Sequence, residues 1–132
     1  MNAASRAAAL LAEMSLDEKL ALISGTNRMY TKGNPRLGLR RVRMADAHMG
    51  LRDETIDATA FPAFIALAAS WSRERARAYG QAVGDEFRAA GVDVVLGPGV
   101  NLYRVHECGR NFEYLGEEPL LAASLVVPYI SG

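Results

Sequence analysis

Residues 72–96 constrain the fold most. Apolar side chains recur at Ala76, Tyr79, Val83, Phe87 and Ala90, which form one face of an α-helix, and Ser72 is placed to cap its first turn. Gly91 ends that helix, and residues 92–96 follow at once as a β-branched, nearly all-apolar run typical of a strand covered on both faces. A second strand reads across 42–45 and ends at Asp46. Two strands joined through a helix predict a parallel, right-handed βαβ crossover and hence an α/β fold. Gly80 and Gly84, one turn apart, predict that a sheet or another helix approaches this helix closely. Two strands do not finish a sheet, because each leaves an edge and an apolar face needing cover. The chain therefore reads as the front end of something larger, stopping where a third strand is expected.

The remaining segments are shorter signals. Residues 3–14 are rich in strong helix formers. Ser15 and Glu18 then make a capping box, with Leu16, Leu20 and Ile23 on one face and Gly25 as a stop. Residues 26–36 read as loop, as do residues 47–60, a length that in compact domains is usually functional or disordered. Order restarts at Phe61-Pro62, and 63–71 is strongly apolar, with Trp71 expected in the core. Glu117, Glu118 and Pro119 open a last helix running toward Tyr129, which Pro128 is expected to kink or end.

Composition excludes several classes of partner. The 132 residues are 50% hydrophobic, enough for one ordinary domain with a core, and 15 basic residues balance 15 acidic ones. No field draws nucleic acid or an anionic membrane. Arg36, Arg40, Arg41 and Arg43 cluster without interleaved aromatics and read as a solvated face. No run approaches the ~20 apolar residues of a membrane span. The apolar stretch 7–12 is cut off by Glu13 before any plausible cleavage site, so it reads as an amphipathic helix and not a signal peptide. With a single Cys108, this favours a cytoplasmic location.

The chemistry-bearing residues sit past the strand ends, where parallel α/β folds keep ligand-contacting groups. Asp46 closes the first strand. Gly109-Arg110-Asn111-Phe112-Glu113-Tyr114 follows the second and puts a cation, an amide, aromatics and a carboxylate on one loop. The rigid guanidinium fork suits vicinal hydroxyls or a carboxylate. Asp46 and Arg110 could grip a sugar at a common rim, or form a structural ion pair; Arg110 and Glu113 could equally staple their own loop. Gly97-Pro98-Gly99 lacks the third glycine opening a helix that a dinucleotide site needs. His48, His106, Glu107 and Cys108 match no zinc spacing, and nothing pairs Cys108 with a base. His48 could act as an acid or base, or make a plain polar contact. Phe112, Tyr114 and Trp71 could form a stacking wall for a sugar ring, or core.

Six separated motifs, in order over about residues 14–130, resemble the amino-terminal catalytic domain of the family 3 glycoside hydrolases, the β-glucosidases and related β-glycosidases. They are Met14-Ser15-Leu16-Asp17-Glu18-Lys19; Pro35-Arg36-Leu37-Gly38-Leu39 with Met44-Ala45-Asp46; Ala58-Thr59-Ala60-Phe61-Pro62 with Ala66-Leu67-Ala68-Ala69-Ser70-Trp71; Leu96-Gly97-Pro98-Gly99-Val100-Asn101; the run from Cys108 to Tyr114; and Glu117-Glu118-Pro119-Leu120.

The resemblance implies a partial TIM (β/α)8-type barrel: N-terminal helices and loop over 1–34, then about the first two of eight βα units over 35–132. It implies retaining hydrolysis of terminal β-linked sugars without a cofactor or metal, by two carboxyl groups roughly 5 Å apart. Asp46 and Arg110 match sugar-binding residues of the innermost subsite, and Glu113 is expected to support Arg110. The family usually follows the aspartate with Gly-Pro, whereas here Ala47-His48-Met49 precedes a matching Gly50-Leu51-Arg52 ending. The Ser-Asp-Trp-like motif carrying the nucleophile and the paired Lys-His motif are not present, nor is the acid/base. The chain is thus expected to carry part of a carbohydrate subsite and to be inactive alone. The alternative is a non-catalytic remnant or split-chain module, pairing with a remaining barrel segment or with itself through open sheet edges.

Overall fold

The computed structural model describes residues 2–132, which form two compact units, one up to residue 44 and the other over 45–132. The fold is mixed α/β.

In the first unit, helix α1 (Ala3–Glu13) and helix α2 (Leu16–Ile23) are separated by Met14 and Ser15. Both halves of the capping box form: the Glu18 N–H donates to Ser15 Oγ at 3.2 Å, and the Ser15 N–H donates to Glu18 Oε2 at 2.9 Å. Residues 26–36 are not simply loop. Strands β1 (Gly25–Asn27) and β2 (Tyr30–Thr31) pair antiparallel, and a 3-10 turn spans Pro35–Leu37. Strands of three and two residues are too short to show alternation, so composition alone read them as irregular. Arg36, expected on a solvated face, reaches back to both helices, donating through Nε to Glu18 of α2 at 2.7 Å and through Nη2 to the Glu13 carbonyl at the end of α1 at 2.9 Å.

That ion pair holds the Glu18 carboxyl down to about 2, with the Arg36 hydrogen bond the largest cause. A carboxyl depressed by folding contributes stability that is present above its unfolded pKa and lost as pH falls through its folded one. The first unit is therefore expected to keep the Glu18–Arg36 contact on acidification until pH approaches 2. A carboxyl NMR titration of Glu18 checks this, and a midpoint near an unpaired glutamate's would show the pair absent in solution.

The second unit carries the core. Strand β3 (Met44–Asp46) straddles the division and pairs with β4 (Val94–Leu96), and two helices lie between them in sequence: α3 (Phe64–Ala69) and α4 (Arg73–Ala89). The apolar stretch at 63–71 thus supplies a short helix of its own. Ala76, Tyr79, Val83 and Phe87 are buried as the stripe predicts, and the Ser72 side chain caps α4 through the Arg75 N–H at 3.1 Å. Helix α5 (Pro119–Ser131) packs on α4. Phe64 is fully buried, with ring centroids 5.4 Å from both Tyr79 and Tyr129. Burial raises both tyrosine hydroxyls, that of Tyr129 to about 12.

Four expectations need correcting. Pro128 does not end α5, which runs on to Ser131: its missing N–H forfeits a single bond, and the Gly132 N–H still reaches the Pro128 carbonyl at 3.1 Å. Trp71 is not core but 76% exposed, since its backbone turns left-handed (φ 52°) between α3 and α4 and swings the ring outward. Strand β4 is not covered on both faces: Val92 just before it is buried, but Val94 and Leu96 are exposed. β3 is its one neighbouring strand among the described residues. Gly80 does meet a close neighbour, but Gly84 has open space around it. None of the described helices is long and apolar enough to cross a membrane.

Candidate functional site

All of the site's residues lie in the second unit. The loop after β3 turns back at once, for the Arg52 N–H donates to the Asp46 carbonyl at 2.9 Å and closes residues 47–51 into a tight return. Ala45 and Ala47, both buried, anchor the backbone on either side of Asp46. Gly50 makes the return possible. Its φ is +105°, and a Cβ there would fall 2.2 Å from the Thr59 carbonyl oxygen, so the chain accepts no other residue without moving its opposite wall.

That opposite wall is the segment 53–61, and it is tied down rather than loose. The Phe61 N–H donates to the Met49 carbonyl at 3.0 Å, and the Thr59 N–H donates to Glu86 Oε1 of α4 at 3.1 Å. Asp53 Oδ1 accepts from both the N–H and the hydroxyl of Thr55, at 2.8 and 2.6 Å.

The third side comes from the loop after β4. A 3-10 turn over Asn111–Glu113 presents Arg110, Phe112 and Glu113. Asn111 does not face a ligand; its side-chain amide donates to the Val105 carbonyl at 2.9 Å and holds the loop together. Gly99 seats that loop, since a Cβ at 99 would lie 2.7 Å from the Glu113 carbonyl oxygen and 2.8 Å from the Tyr114 ring. Within the Gly97-Pro98-Gly99 run it is therefore Gly99 that serves close packing.

These three segments enclose an open cleft of about 740 Å³. Asp46, Arg110 and Glu113 all line it, together with His48, Arg52, Asp53, Asp57 and Phe112. Arg52 was missed as a candidate, although a cation six residues beyond a strand-end aspartate, in the Gly50-Leu51-Arg52 ending, was the signal. The stacking wall does not assemble: Phe112 faces this cleft, whereas Trp71 lines a separate, shallower hollow beside Tyr103 and Leu115. Tyr114 lies under Arg110, with the guanidinium carbon 5.9 Å from the ring centroid.

The Arg110–Glu113 pair forms, with Arg110 Nε donating to Glu113 Oε1. Glu113 is 8% exposed, while the Arg110 side chain is largely exposed. A buried carboxylate needs a partner, so this pair stabilises the loop. The same bond raises Arg110 above its already high ordinary pKa. It uses Nε, so the two terminal nitrogens of the fork lie outside it. The pair thus staples the loop, and Arg110 also lines the cleft. His48, the other candidate, places Nδ1 3.5 Å from Glu113 Oε2. Cys108 is an exposed free thiol, and among the described residues no three His, Cys, Asp or Glu side chains could together hold a metal ion.

A cleft that mixes carboxylates with two guanidinium groups and one aromatic suits a polyhydroxylated ligand better than an apolar or polyanionic one.

Residues 7–132 match the family described as the glycosyl hydrolase family 3 N terminal domain. A β-glucosidase of Bacteroides ovatus is 46% identical over 92% of this chain, and thermostable β-glucosidase B of Acetivibrio thermocellus is 39% identical over 93%. The chain spans 18% of the length of each of these curated relatives. Among solved structures, β-glucosidase 3B from Thermotoga neapolitana in complex with α-D-glucose superposes with a TM-score of 0.86 at 34% identity, over 96% of this chain and 21% of that one. A β-glucosidase from Streptomyces venezuelae in complex with D-glucose gives 0.85 at 41% identity, over 96% and 17%. The chain belongs to glycosyl hydrolase family 3, within the N-terminal domain of that family.

Proposed function

We propose that this chain supplies part of the sugar-binding subsite of a retaining β-glycosidase that hydrolyses terminal β-linked sugars. In this reading it forms about the first two βα units of a barrel. Asp46 accepts hydrogen bonds from sugar hydroxyls, Arg110 donates to them through its terminal nitrogens, and Arg52 adds a second cation on the same rim. Glu113 holds Arg110 in place. The nucleophile and the acid/base come from outside these residues, so the 132-residue chain by itself binds weakly and turns over nothing. One observation carries the reading: Asp46 at the end of β3, Arg52 in the loop after it and Arg110 in the loop after β4 line a single cleft in a chain whose solved relatives hold glucose.

The experiment is hydrolysis of 4-nitrophenyl β-glucoside. The isolated chain is expected to give no turnover above buffer, and appreciable turnover would overturn the proposed division of labour. In a longer protein carrying this chain, Asp46→Ala and Arg110→Ala are each expected to lower kcat/KM by roughly 10- to 100-fold, the scale of a lost hydrogen bond to a charged group. Unchanged kinetics in both variants would remove these residues from the subsite.

A further inference from the structure

We propose that His48 is a positioning residue for the sugar grip: it holds the second oxygen of the Glu113 carboxylate and so fixes the direction of the Arg110 fork. The inference rests on reading the cleft as a sugar subsite. The Glu113 carboxylate lies between two partners, Arg110 Nε on Oε1 and His48 Nδ1 at 3.5 Å from Oε2. Held at one oxygen, a carboxylate swings about its broad terminal torsion and carries its guanidinium with it. Held at both, it becomes a fixed anchor.

Arg110 needs such an anchor. Its side chain is 64% exposed, and besides Glu113 it has the Tyr114 ring, 5.9 Å from its guanidinium carbon, to pack on. His48, by contrast, is well placed to give one. Its ring is largely buried, and the bare Gly99 backbone beside it leaves room for it, since a Cβ at 99 would come 3.2 Å from His48 Cδ2. An imidazole carries a proton on Nδ1, and so can donate to a carboxylate there, both as imidazolium and as the Nδ1–H neutral tautomer. The arrangement thus links the loop that follows Asp46 to the loop bearing Arg110 through one buried carboxylate, and it sets the spacing of the two groups that would grip a sugar.

The test uses a longer, active protein carrying this chain. His48→Phe is expected to raise KM for 4-nitrophenyl β-glucoside about tenfold while kcat changes less than about threefold. His48→Asn, whose amide nitrogen falls near the Nδ1 position, is expected to recover most of the loss. A second readout does not depend on turnover. The Arg110 Nε–H should give a discrete, exchange-protected NMR signal in the parent and in His48→Asn, and should lose it in His48→Phe. An unchanged KM and an unchanged Arg110 signal in His48→Phe would overturn the proposal, as would the signal's absence from the parent. If Asp46→Ala and Arg110→Ala impair hydrolysis while His48→Phe does not, the subsite reading stands and this inference alone fails. If Asp46→Ala and Arg110→Ala have no effect, the subsite reading fails first.

Discussion

Replacing Gly80 by alanine is expected to destabilise the second unit by about 3 kcal/mol or more, although the substitution improves helix propensity. The added Cβ would lie 2.0 Å from the Tyr129 carbonyl oxygen, 2.8 Å from its carbon and 3.1 Å from its Cα. All three are backbone atoms of α5, so no rotamer change relieves the overlap; the whole helix must move off α4. Gly84→Ala is the matched control. It sits one turn away on the same helix with nothing within 4 Å, and it should stabilise by about 1 kcal/mol through backbone entropy. Urea unfolding of the two variants beside the parent measures the contrast. Equal midpoints for both would mean that α4 and α5 do not cross at Gly80.

The second large effect is expected at Phe64. The ring is completely buried and contacts Tyr79 in a tilted arrangement and Tyr129 edge-on, at interplanar angles of 49° and 89°. It thereby joins α3 to α4 and α5 at one point. Phe64→Ala removes that junction and leaves a cavity that neither tyrosine can refill. Tyr79 is tied through its hydroxyl to the Pro62 carbonyl at 2.8 Å, and Tyr129 is fixed by the close approach at Gly80. A loss of about 3–5 kcal/mol is expected, the usual range for a phenylalanine truncated in a core. Phe64→Leu should cost clearly less, because it keeps most of the volume. Near-UV circular dichroism at the tyrosine bands, followed through denaturant, reads both changes. A Phe64→Ala midpoint within error of the parent would show that the aromatic junction does not carry the packing.

Much of the architecture is legible in the sequence, and the reasons differ by element. The stripe from Ala76 to Phe87 in α4 has a single apolar face, so its period reports its burial directly. Ser15 and Glu18 announce a helix start because each side chain has one backbone donor to satisfy. Asp46, Arg110 and Glu113 stood out because charged groups beside apolar strands must be satisfied by partners or ligands, and the structure brings all three to one cleft. What stayed hidden depends on distant chain crossing it. Gly80 and Gly84 are identical in sequence terms, and only the line taken by α5 separates them. That line was itself unreadable, since α5 is apolar on all sides: Leu125 and Tyr129 are buried while Leu120, Val127 and Ile130 are exposed. The β1–β2 hairpin is too brief to show a period. Arg52 carried a weak signal by its place six residues beyond Asp46, and the tight return that the N–H bond to Asp46 closes brings it into the same cleft lining.

The outward-turned Trp71 has a practical consequence. It is the one tryptophan in the sequence, so the indole fluorescence of this polypeptide comes from a ring already surrounded by water. Its emission maximum should lie near that of free indole and barely move on denaturation, which makes it a poor reporter of unfolding. The same property makes it a sensitive reporter of coverage. A blue shift in a longer version of the protein would show that added polypeptide has come to rest on this corner, without any label being introduced.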